Sequence, residues 1–274
     1  MCGVKYSHSW GQDAVELKQF APRKNFVFHS HNGLEYKDYI SKYGDLSQLK
    51  EVYFAGGESL FQKDHWDMLD HLISIGKTDV RLVYNTNLTK LSFGSRKLTD
   101  YIEKFKGVNF IVSVDATEKL FEYIRTGANW KILNDNLEVI KRYPNVNIKF
   151  NCAVSIFNIL YLADVISFVH EHNIRNNTSE WLLDLSPVHF PEELSVVILP
   201  EQLKDLAEQR LTALPQYNQH KNSIDGIISF MRSYTATTDE WIWATQYAKQ
   251  IDEVRAENIL EVVPELKDYW TTQI

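Results

Sequence analysis

From Glu51 onward the chain alternates short β-rich runs with helical patterns, at about 30 residues per repeat of the pattern, which is the signature of βα units and a parallel sheet. Five strands are predicted: Glu51 to Ala55, Asp79 to Asn85, Asn109 to Val114, Val146 to Val154 and Glu180 to Leu185. Each is short and mostly apolar, as strands buried in a parallel sheet are. Between them, Trp66, Leu69, Leu72 and Ile73 recur at helical spacing, as do Leu133, Leu137 and Ile140, then Leu162, Val165, Ile166 and Val169. Gly76 stands where the first of these helices should stop, and Pro144 follows the second.

After Pro200 the alternation ends and three helices are predicted, over Glu201 to Leu211, Ser223 to Tyr234 and Glu240 to Leu260. The stretch from Gly11 to Leu49 is less regular and offers only a helix near Tyr36 to Tyr43. Two regions follow from this reading: an α/β part over residues 1–199 and a mostly helical part over residues 200–274.

A formal net charge of −7 provides no basic field for phosphate backbones, so general nucleic-acid binding is disfavoured. No run approaches the roughly 20 apolar residues that span a bilayer, and the N-terminus has no secretory pattern, so a cytoplasmic location is expected. The two cysteines, Cys2 and Cys152, are far apart in sequence and build neither a disulfide framework nor a zinc ribbon within one chain. Cys152, in the fourth strand, reads as a small buried hydrophobe.

Parallel α/β folds gather their sites at the carboxyl ends of the strands. The first strand here runs into Gly56-Gly57-Glu58-Ser59, where two glycines allow close approach to the backbone and a carboxylate suits an ammonium group. The second ends in Asn85-Thr86-Asn87, whose amides offer uncharged donors and acceptors. The third ends in Ser113-Val114-Asp115, a hydroxyl and a carboxylate matched to a ribose diol. Beyond it lies Arg125 in Tyr-Ile-Arg-Thr-Gly, a fork-shaped donor for a carboxylate. The fourth ends near Val154-Ser155 and Asn158.

The order Gly-Gly-Glu, Asn-Thr-Asn, Ser-x-Asp and Tyr-Ile-Arg-x-Gly resembles the radical S-adenosylmethionine (radical SAM) superfamily, and is most similar to its twitch-domain-containing branch. Asn134 to Leu137, Val197-Ile198-Leu199-Pro200, Asp252 to Arg255 and Pro264-Glu265-Leu266 fit that branch too. The resemblance implies a partial TIM barrel of the radical SAM type, a (β/α)6 barrel missing its first strand, with a helical C-terminal extension. It implies an enzyme core that binds S-adenosylmethionine and a four-iron four-sulfur cluster to form a 5′-deoxyadenosyl radical for hydrogen abstraction. Gly56, Gly57 and Glu58 would then meet the methionine amino group, and Asn85 and Asn87 would also be cofactor-binding. Ser113 and Asp115 would take the ribose side or nearby polar groups, Arg125 the carboxylate, and the Val154 backbone the adenine. Implied partners are a reductant such as a flavodoxin or ferredoxin and a substrate that is a peptide or small metabolite.

Met1-Cys2-Gly3 resembles the end of the family's Cys-x3-Cys-x2-Cys loop, which makes Cys2 the third cluster ligand. The other two cysteines are absent from this sequence, so the resemblance implies an N-terminally incomplete chain or a shortened relative that has lost the cluster. Ser59 replaces the family's common proline and Ala116 its frequent glycine. No cysteine follows Cys152, so no auxiliary cluster is expected.

Two other functional classes compete. One is a cluster-free nucleotide-binding barrel without catalysis. The other is a zinc-dependent hydrolase using the His29 and His31 pair. Trp241 and Trp243 are expected to dock the C-terminal helices on the barrel rather than line a pocket.

Overall fold

The computed structural model describes residues 46–55, 58–175 and 183–270. The expected helix near Tyr36 to Tyr43 lies outside them, as do Cys2, His29, His31, Gly56 and Gly57.

All five expected strands form. They are β1 (Glu51–Phe54), β2 (Arg81–Thr86), β3 (Gly107–Ser113), β4 (Val146–Val154) and β5 (Leu183–Pro187), and they hydrogen-bond in that order as one parallel sheet. The order along the sheet is therefore the order along the chain. Every crossover advances in the same direction, with no reversal of the kind that divides a doubly wound sheet. The register aligns Phe54 with Tyr84 and Phe110, whose rings stack at 5.0 and 5.2 Å between centroids.

Strand alternation divides the sheet into two unlike faces. On one, Leu82 and Tyr84 of β2, Val108, Phe110 and Val112 of β3, and Ile148, Phe150, Cys152 and Val154 of β4 are buried in a core that reaches Leu266. On the other, Asn85, Asn109, Ser113, Asn147, Lys149 and Asn151 are partly or fully exposed. Helices α1 (Lys63–Ser74), α2 (Glu118–Ile124) with α3 (Trp130–Ile140), and α4 (Leu162–Arg175) fill the first, third and fourth crossovers, and the second holds only the short helix Thr99–Ile102 beside two two-residue strands. The chain continues into α5 (Glu201–Thr212), α6 (Lys221–Arg232) and α7 (Thr238–Arg255).

Helix ends follow from local chemistry. Gly76 closes α1 at φ +70°, with its amide donating to the Ile73 carbonyl and the Lys77 amide donating to Leu72, a Schellman arrangement. The Asn129 side chain caps α3 by accepting from the Ile132 amide, and Thr237 with Glu240 forms a capping box at α7. Trp241 is buried and donates its indole N–H to the Tyr269 carbonyl at 2.8 Å, whereas Trp243 is exposed. A short antiparallel pairing of Ser92–Phe93 with Arg96–Lys97 and the helix α2 were not among the expected elements.

Candidate active site

Glu58 emerges beside the end of β2. Its carboxylate accepts hydrogen bonds from the Thr86 hydroxyl at 2.8 Å and the Asn87 amide at 3.0 Å, so the ends of β1 and β2 are tied together. Burial pushes the Glu58 carboxyl up from its ordinary value, against the opposing pull of these hydrogen bonds and of the Arg125 charge. The Asn87 side-chain oxygen is used locally, accepting from the Thr89 amide and hydroxyl.

Asp115 follows β3 and is almost fully buried. One carboxylate oxygen accepts from the Ala153 amide of β4 at 2.8 Å and the other lies 2.8 Å from Arg125 Nη2. Arg125 caps α2, its amide donating to the Phe121 carbonyl. The chain then turns through Gly127 at φ +82°, where a side chain would be strained. The Nε of Arg125 is buried without a hydrogen-bond partner.

Behind Asp115 sits Asn158, fully buried. Its side-chain amide donates to the carbonyls of Asp115 at 2.6 Å and Ala153 at 2.8 Å, and its oxygen accepts from the Ser155 amide at 2.7 Å. The carboxyl ends of β3 and β4 are fixed together by this one side chain. On the open face of the sheet, the Ser113 hydroxyl donates to Asn85 Oδ1 at 3.4 Å. Asn151, next to Ser113 in register, has a side-chain oxygen that is buried and unpaired.

The expected residues thus fall into two adjoining groups at the strand ends. Glu58, Asn87, Asp115 and Arg125 form the charged rim; Asn85 and Ser113 lie on the open face. Val154 is fully buried and its carbonyl already accepts from the Val188 amide. Gly56, Gly57 and Cys2 lie outside the described residues, as do His29 and His31. Thr86 and Asn158 hold the site, and Asn151 stands beside it with its oxygen unpaired, without any of the three having been singled out as a member. Thr86 stood inside the Asn-Thr-Asn motif, and the alternation that puts Asn147, Lys149 and Asn151 on one face of their strand was the signal for Asn151.

The charged rim offers groups of both signs, the chemistry an amino-acid head group would require. Arg125 Nε is a buried donor without a partner, of the kind a carboxylate would accept from, and Glu58 is a carboxylate held by Thr86 and Asn87, of the kind an ammonium group would meet. A four-iron cluster is a different matter. It takes cysteine thiolates, and Cys152 is enclosed in the core, its sulfur 3.7 Å from the Asp115 carbonyl, with burial holding the thiol well above its ordinary pKa. With two cysteines in the sequence and this one buried as a thiol, the chain's own residues do not fit such a cluster. Among the described residues no group of three or more His, Cys, Asp or Glu side chains is arranged to hold a metal ion.

Comparison with family models, with curated proteins and with solved structures returned no match.

Proposed function

We propose that this chain forms the S-adenosylmethionine-binding part of a parallel barrel of the radical SAM type. The observation that carries the reading is the meeting of Glu58, Asp115 and Arg125 at the carboxyl ends of successive strands, with a buried guanidinium N–H still free to donate. Five parallel strands in chain order support this reading, since a (β/α)6 barrel is built from strands paired in that order. In this reading Glu58 takes the ligand's ammonium and Arg125 its carboxylate. Asp115 holds Arg125 in place instead of meeting the ribose, because its side chain is almost fully buried and its oxygens turn to the Ala153 amide and to Arg125.

The burial of Cys152 favours a binding role that does not draw on this thiol. Radical cleavage of the bound nucleoside would need cluster ligands that this side chain does not supply.

Calorimetric titration of the full chain, in air and without iron, tests the proposal. S-adenosylhomocysteine should bind, and Glu58→Gln should weaken it about tenfold, the equivalent of one charge-assisted hydrogen bond. 5′-Methylthioadenosine lacks the amino-acid head group and should bind the Glu58→Gln variant as it binds the unaltered chain. No binding of either nucleoside by the unaltered chain would overturn the assignment.

A further inference from the structure

Asn151 is the residue of this sheet whose polar group is least accounted for. It lies on β4 at the level of Ser113 on β3 and Asp184 on β5. Register partners in a parallel sheet point the same way, so the three side chains form a row across the open face. The neighbouring level, Val112, Phe150 and Leu183, turns into the core, which fixes the direction of the row. Within it, Ser113 spends its hydroxyl hydrogen on Asn85 Oδ1, leaving the Ser113 oxygen as an acceptor. Asn151 Oδ1 is a second acceptor, removed from water and without a donor. Buried side-chain oxygens are ordinarily hydrogen-bonded, so an unpaired one at a strand end calls for a donor from outside the fold.

We propose that Asn151 is a specificity residue for a hydroxylated ligand, its Oδ1 accepting a hydrogen bond from one hydroxyl of a ribose diol while Ser113 Oγ accepts from the other. Adjacent strands stand about 4.8 Å apart, so acceptors on neighbouring strands can serve neighbouring hydroxyls. Asp115, the carboxylate that the Ser-x-Asp pattern offers for this purpose, is committed to Ala153 and Arg125. The inference rests on the reading of these strand ends as a nucleoside site.

The test is a titration of the full chain and of Asn151→Ala and Asn151→Asp with S-adenosylhomocysteine and with its 2′-deoxy and 3′-deoxy analogues. Asn151→Ala should bind S-adenosylhomocysteine about tenfold more weakly, and Asn151→Asp, which keeps an acceptor, should restore most of the loss. One of the two deoxy analogues should bind the unaltered chain and Asn151→Ala equally, which identifies the hydroxyl that Asn151 holds. Unchanged affinity in Asn151→Ala would overturn this inference and leave the nucleoside site standing. An equal loss for all three ligands would also overturn it, by showing a purely structural effect. Failure of the unaltered chain to bind S-adenosylhomocysteine would overturn both.

Discussion

Arg125 Nη2 lies 2.8 Å from Asp115 Oδ2, and the two partners differ in exposure: the Asp115 side chain is 3% exposed and that of Arg125 is 24%. The carboxylate is therefore the partner that cannot do without the pair. Its other oxygen is held by the Ala153 amide, so the ion pair connects the short helix α2 to two adjacent strands at once.

That asymmetry predicts unequal costs. Arg125→Ala strands a buried charge and should lower stability by about 3 kcal/mol in urea denaturation. Asp115→Asn keeps an oxygen for the Ala153 amide and leaves the guanidinium partly in water, so it should cost less, about 1 kcal/mol. The double variant should be more stable than Arg125→Ala alone, because the stranded charge is gone. An Arg125→Ala variant within about 0.5 kcal/mol of the unaltered chain would show that Asp115 is stabilised by other means.

Glu58 gives the site a pH dependence of known sign. Its carboxyl titrates above the ordinary value of 4.5, chiefly through burial. The folded state thus holds the proton more tightly than the unfolded chain, and this contribution to stability is present below pH 4.5 and is lost as pH rises through the folded value. Glu58→Gln keeps an acceptor for Thr86 and Asn87 without the charge. The melting temperature of the variant should therefore gain on that of the unaltered chain as pH rises from about 4 to about 7. Binding of a ligand ammonium should show the opposite trend, strengthening over the same range in the unaltered chain and staying flat in the variant. Parallel melting curves for the two proteins would exclude a titrating Glu58.

Much of the fold was legible because parallel strands are short, apolar and regularly spaced, and helix stops are chemically marked. Val146 to Val154 was expected residue for residue, and Gly76 ends α1 through its positive φ. Helix α2 escaped because its seven residues offer too little periodicity to register, and the Ser92–Phe93 pairing with Arg96–Lys97 is only two residues long on each side. At the site, residue type was informative but commitment was not. The sequence shows that Asp115 and Arg125 could each hold a ligand; only geometry shows that they hold each other. Pairing across strands depends on register, and register also brings Asn151 beside Ser113 from 38 residues away.

Cys152 provides a check on the core. It is enclosed between the sheet and its covering helices, and burial keeps it a protonated thiol. In a Cys2→Ser background at about pH 8, a thiol reagent should leave the native chain unlabelled and label one site once the chain is unfolded, because only the thiolate reacts. Rapid native labelling would place Cys152 at an accessible surface and reopen it as a ligand.

Asn158 supplies the sharpest separation of a packing effect from a polar one. Its amide nitrogen donates to two carbonyls and its oxygen accepts one amide, and the Asn158 side chain itself is fully buried. Asn158→Ala removes all three of these hydrogen bonds and should cost about 3 kcal/mol. Asn158→Asp preserves shape but, when ionised, turns a carboxylate oxygen toward the carbonyls of Asp115 and Ala153. At neutral pH it should be the less stable of the two variants. Protonation gives the new side chain a donor, so its deficit relative to Asn158→Ala should shrink as pH falls from about 7.5 to about 5. Urea denaturation at the two pH values measures that gap, and a gap independent of pH would show that volume, rather than the direction of the hydrogen bonds, is what Asn158 contributes.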